Sequence, residues 1–214
     1  MEIPSRFYRD FVGIGVELTN ERANREADLE RTILEASSYV DLDDRRILGL
    51  LASWILVHAN LVCIGKLKRL LEREKLGDPQ IISALAFFAV EKRHHEWKTL
   101  CKTFPEKYLW GEAGTKAALK FQKPVASFSK AGLFLPEKAL RLDQRHILPI
   151  AVLAKHHLQI RLRLLFGANV RADAAFYVSK GIDGASDLMR AIGSSYEPAH
   201  RILEEFNIAG GLRY

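Results

Sequence analysis

Apolar residues along this chain recur at three- and four-residue intervals, the spacing of helices and not of strands. Phe7, Phe11, Ile14 and Leu18 share one face of an opening helix, and Leu29, Ile33 and Leu34 begin a second after a polar run. Asp44 is placed to cap a long apolar helix from Arg45, with Asn60 near its end. Residues 63–75 predict a basic amphipathic helix, with Ile64, Leu67, Leu70 and Leu71 inward and Lys66, Lys68, Arg69 and Arg73 outward. Gly77-Asp78-Pro79 stops that helix and starts another, Asp78 as cap and Pro79 in the first turn, running to about Phe104 before Pro105.

Gly111, Gly114, Pro124, Gly132 and Pro136 punctuate the next stretch, where residues 113–122 are the one clear helical pattern. A long helix follows Pro149 and closes at Gly167. The pattern therefore predicts an all-α chain: a multi-helix domain over 1–148, a linking helix over 149–167 and a short helical module over 168–214, with room for a two-stranded ribbon at its end.

Within that module, Ala172, Ala175 and Phe176 form the inner face of a helix over 170–180. Residues 181–184 make a turn, Ser186 is placed to cap a second helix, and Leu188, Met189 and Ile192 are its buried side. Gly193 supplies the permissive backbone that a tight corner requires. Ser195 is placed to cap a third helix, in which Ala199, Ile202, Leu203 and Phe206 recur at i, i+3, i+4 and i+7, with Pro198 in its first turn.

One apolar run needs a membrane check. Residues 47–65 carry no Asp, Glu, Lys or Arg over 19 positions, near the length that spans a bilayer. His58 and Asn60 interrupt it, where polar groups are costly in lipid. Buried helices outside a membrane are the expectation.

Charge changes the picture more than composition does. The net charge of the 214 residues is +6. Residues 1–61 carry 7 basic and 11 acidic side chains, residues 62–171 carry 21 and 9, and residues 172–214 carry 4 and 6. A positive middle region fits a polyanionic partner. The two cysteines, Cys63 and Cys101, have neither disulfide-scaffold nor zinc spacing. The first residues contain no secretory apolar segment, so a reducing, cytoplasmic setting is expected.

The last 45 or so residues resemble the helix-turn-helix of bacterial winged-helix transcription regulators, through the corner Gly193-Ser194-Ser195 and the run Arg201-Ile202-Leu203. That resemblance implies a third helix in the major groove of double-stranded DNA, a wing on the adjacent backbone, and a dimer. It assigns Ser195, Tyr196, Glu197, His200, Arg201 and Glu204 to the DNA face, with Arg201 the best reader of base or phosphate. The chain reaches its last residues where a wing would begin, so the wing is expected to be absent or truncated. Lys92, Arg93, Lys98, Arg161, Arg163 and Arg171 are the candidates for backbone phosphates.

A second class of function stays open. Glu197 and Glu204, with Glu205 nearby, give the third helix an acidic face, which suits an adaptor whose helix-turn-helix shape contacts a partner protein. An enzyme is not expected. Glu91-x-x-His94 and Asp143-x-x-His146 have the i, i+3 spacing of carboxylate-bridged di-iron bundles, but nothing selects further ligands, and no hydrolase, phosphate-loop or dinucleotide pattern is present. No metal or cofactor is expected.

Overall fold

The computed structural model describes residues 3–19, 21–42 and 45–208. Asp44 and any ribbon over 209–214 lie outside the described residues. The chain is mostly helical and runs α1 (Ser5–Gly13), α2 (Leu29–Tyr39), α3 (Arg45–His58), α4 (Ile64–Glu72), α5 (Pro79–Glu91), β1 (Lys107–Tyr108), α6 (Glu112–Leu119), α7 (Ala126–Ser129), β2 (Leu133–Phe134), α8 (Ile150–His156), α9 (Leu158–Phe166), α10 (Val170–Ser179), α11 (Ala185–Ile192) and α12 (Tyr196–Ile208). The two strands are two residues each and pair in parallel, Lys107 with Leu133 and Tyr108 with Phe134.

Several helices start where local chemistry satisfies their first N–H groups. Asp28 accepts from the Arg31 amide at the head of α2, Asp78 from Gln80 and Ile81 ahead of α5, and Asn169 from Arg171 and Ala172 ahead of α10. Pro79 sits in the first turn of α5, where no intrahelical N–H is lost. In the module the expected cap Ser186 lies inside α11, and Gly184 precedes that helix with no side-chain cap.

Two long helices of the sequence reading are each broken in two. The first ends at Glu91, because Arg93 takes a left-handed φ of 73° and the chain returns as a 3-10 turn over His95–Leu100. Trp97 goes to the core and donates to the Ala59 carbonyl at 3.2 Å. Ser83 fixes the return, accepting from the Lys102 amide at 2.7 Å and donating to the Lys102 carbonyl. The return lets the large apolar indole leave water, at roughly 25 cal/mol per Å² of apolar surface buried, which a continued helix over these residues would not allow. The break also puts Glu91 and His94 off a common helix, so their i, i+3 pairing does not form on one face.

The expected linking helix over 149–167 breaks at His157, which is extended (φ −120°, ψ 105°). Its ring caps α9, accepting from the Ile160 amide at 3.4 Å, and its other nitrogen meets the Ala27 carbonyl at 3.0 Å. Similarly, the opening helix stops at Gly13 without reaching Leu18, and the freed Ile14 carbonyl accepts from the Trp54 indole at 2.8 Å.

The larger core gathers α1–α5, Trp97, the β pair and α7, and includes Ile160 of α9. A second core contains Leu162 of α9 with Ala174, Ala175 and Phe176 of α10, Leu188 and Ile192 of α11, and Ala199, Ile202, Leu203 and Phe206 of α12. α9 therefore serves both cores, and the last three helices pack on it as a unit. Among the described residues no helix is long and apolar enough to cross a membrane. The apolar run over 47–65 is broken by a 3-10 turn at Ala59–Leu61, beside which His58 Nε2 meets the Leu148 carbonyl at 2.9 Å.

Candidate nucleic-acid interface

α11 ends on Gly193, in the left-handed region at φ 62° and ψ 37°, and α12 starts three residues later. A side chain here pays a steric penalty that glycine avoids. A Cβ at this position would also fall 2.0 Å from the Arg69 guanidinium carbon, because Arg69 of α4 reaches over the corner and donates to the Ile192 carbonyl. The corner is thus fastened to the larger body from outside.

From that corner α12 buries Ala199, Ile202, Leu203 and Phe206 against α10 and α11. Ser195, Tyr196, Glu197, His200, Arg201 and Glu204 are all exposed. Tyr196 stacks on His200 with ring centres 5.7 Å apart, and His200 Nδ1 lies 3.5 Å from Glu204 Oε2. A single ridge therefore runs along the open face at i, i+4 and i+8. Arg201, beside that ridge, makes no ion pair among the described residues. Glu205 is occupied by Arg171 of α10.

The six phosphate candidates scatter. Lys92, Arg93 and Lys98 are exposed, but around the turn after α5 and not along one helix. Arg161 is exposed and folds back to donate to the carbonyls of Ala154 and Lys155 at 3.0 and 3.1 Å, closing the end of α8. Arg171 pairs with Glu205 as above. Arg163 is a correction: its side chain is 0% exposed and cannot reach a polyanion.

Arg163 instead anchors an ionic junction that joins the two cores. Its guanidinium lies against Glu30 of α2 at 2.5 and 2.9 Å, against Asp173 of α10 at 2.7 Å, and donates to the Leu61 carbonyl at 2.7 Å. Lys66 of α4, expected on the outer face, is the second correction. It is buried, with Nζ 2.5 Å from Asp28 and 3.2 Å from Glu30. Gln159 completes the set, accepting from the Leu29 amide at 3.1 Å and donating to Asp173 at 3.2 Å.

Burial opposes ionisation of Glu30, yet Arg163, Lys66 and the Cys63 amide together hold its carboxyl well below the usual carboxylate range. Burial likewise opposes the charge on Lys66 and Arg163, and the facing carboxylates raise both above their ordinary values. The Arg163 Nε has no hydrogen-bond partner among the described residues.

Sequence reasoning missed this junction because it reads each charge as solvated. The available signal was positional: Lys66 sits next to Leu67 and four residues before Leu70, and Glu30 between Leu29 and Ile33, so both fall on faces that the apolar pattern turns inward. Among the described residues no three His, Cys, Asp or Glu side chains come together as a metal-holding group. Asp143 and His146 remain near each other, at 3.7 Å, on an exposed 3-10 turn. No family model, no curated protein and no solved structure matches this chain.

Proposed function

We propose that this chain is a DNA-binding transcription regulator that uses a helix-turn-helix formed by α11 and α12, with α12 as the helix that enters the major groove. The observation that carries the reading is the sidedness of α12. Every residue of its apolar stripe is buried, while Ser195, Tyr196, Glu197, His200, Arg201 and Glu204 are exposed directly after a left-handed glycine corner. A helix held rigidly by one face and open on the other is what groove recognition needs.

In this reading Arg201 contacts a guanine edge or a phosphate, Tyr196 and Ser195 donate to phosphates, and Glu197 or Glu204 accepts from cytosine N4. Lys92, Arg93 and Lys98 supply sequence-blind attraction. One such helix reads too few base pairs to select a genomic site, so two copies act together. Leu164, Leu165 and Phe166 form an exposed apolar stretch at the end of α9, and this is the surface we assign to a second copy.

The rival reading, a protein-interaction adaptor, draws on Glu197 and Glu204, which stay exposed on α12. Selection from a random duplex library separates the two. Enrichment of a two-fold symmetric motif by this chain, lost in Arg201→Ala, supports the regulator. Failure to enrich any motif transfers the ridge to a protein partner.

A further inference from the structure

We infer that the cleft between α4 and the α10–α11 pair is an effector site for an organic phosphate, and that its occupancy releases the α11–α12 corner from the larger body. The cleft has a volume of about 980 Å³, the scale of small-molecule pockets. One wall is α4 from its first turn to Arg73, and the other is formed by residues 168–170, Asp173 and the corner residues Ile192 and Gly193.

Four cations line it, Lys66, Lys68, Arg69 and Arg73, of which Lys66 is already held in the ionic junction. Lys68 is half-buried, Arg73 is exposed, and neither makes an ion pair among the described residues. Two of the three acids on the same walls are already engaged: Glu72 pairs with Lys102 at 2.8 Å and Asp173 is held in the ionic junction. Glu96, 3.6 Å from the His94 ring, is one acid against Lys68, Arg69 and Arg73. The excess charge facing the cleft is therefore positive. The first turn of α4, at Ile64 and Gly65, also opens onto it, and such N–H groups lack intrahelical acceptors. A Cβ at Gly65 would meet nothing within 4 Å, so the approach is clear. Val62, Ile64, Val170 and Ile192 supply apolar surface beside the cations, so the fitting ligand has an uncharged body as well as a phosphate.

The regulatory half follows from Arg69. Its guanidinium is the donor to the Ile192 carbonyl at the end of α11. A phosphate in the cleft offers that fork two charged acceptors in place of one neutral carbonyl, and charge-assisted pairs of this kind are about twice as strong. Binding thus removes the external fastening of the corner. This half rests on α12 being the DNA-reading helix; the binding half does not.

The test uses the full chain with ADP and inorganic pyrophosphate as probes, by titration calorimetry and by amide hydrogen exchange. ADP is expected to bind the native chain, and Lys68→Ala/Arg73→Ala to weaken it about tenfold or more. Lys68→Arg is expected to retain binding, and equal melting of all variants excludes a folding defect. Exchange at the Ser194 amide, which bonds the Met189 carbonyl at 3.2 Å, is expected to rise when ADP is bound. Absence of binding by either probe, or equal affinity in the double variant, overturns the site. Binding that leaves Ser194 exchange unchanged overturns the release of the corner. Neither readout contains DNA, so a chain that ignores duplex still decides the question of the cleft.

Discussion

Arg163 and Glu30 lie guanidinium to carboxylate, with both side chains wholly enclosed and 133 positions apart in sequence. The pair ties α9 to α2, and through Asp173 and Lys66 it ties both to α10 and α4. The larger body and the terminal three-helix unit are thus held together by buried charge as well as by the apolar faces of α9.

Removing one partner should be strongly destabilising, because it strands the opposite charge away from water. Glu30→Gln is expected to destabilise the chain by about 3–5 kcal/mol. Chemical denaturation of the variant measures this. A loss under about 1 kcal/mol would mean that water reaches the junction.

The pH dependence has its own source. Burial first, with help from the Arg163 charge, pushes the His157 pKa down to about 4, although the Ala27 carbonyl favours the proton. In the unfolded chain a histidine titrates near 6.5. Between those values the unfolded state binds a proton that the folded state refuses, so stability falls as pH drops from about 6.5 to about 4. The slope from this group is at most about 1.4 kcal/mol per pH unit. His58, whose pKa burial also lowers, adds in the same direction. His157→Gln should flatten the slope without abolishing it. Urea melts across that window check this, and an unchanged slope would remove His157 as the cause.

Gly193→Ala should cost about 1–2 kcal/mol from left-handed strain alone, and more because the new methyl displaces Arg69. The displaced part is separable. In an Arg69→Ala background the glycine substitution should cost less, and the difference in a double-mutant cycle is the coupling between corner and body. Additive losses would mean that Arg69 moves aside freely.

The apolar stretch predicts self-association. Leu165, 68% exposed, is its most open member. Leu165→Glu is expected to shift the chain toward monomer in sedimentation velocity while leaving the thermal melt of the fold unaltered. A native chain that is monomeric throughout would sever the stretch from dimer formation.

Much of this fold was legible in the sequence wherever an apolar stripe and a local cap agree. Asp78-Pro79 heads α5 as the dipeptide predicts, and α12 buries the four residues its spacing picks out. The reading went astray where a distant partner decides. Nothing near Arg93 announces that Trp97 must reach the Ala59 carbonyl, and nothing near His157 announces the Ala27 carbonyl. For the same reason the α12 surface is readable from its own period, whereas the local pattern around Arg163 and Lys66 does not distinguish them from surface cations. Their acids come from α2 and α10, and no local window contains both sides of the pair.

The most direct measurement of the central claim is fluorescence anisotropy of a mixed-sequence duplex titrated with the native chain, Arg201→Ala and Lys92→Ala/Lys98→Ala, at low and physiological salt. A DNA-reading α12 predicts binding that weakens steeply with salt and is about tenfold or more weaker in Arg201→Ala, with a shallower salt slope in the lysine variant. Binding indifferent to Arg201, or no binding even at low salt, would contradict a DNA-reading α12.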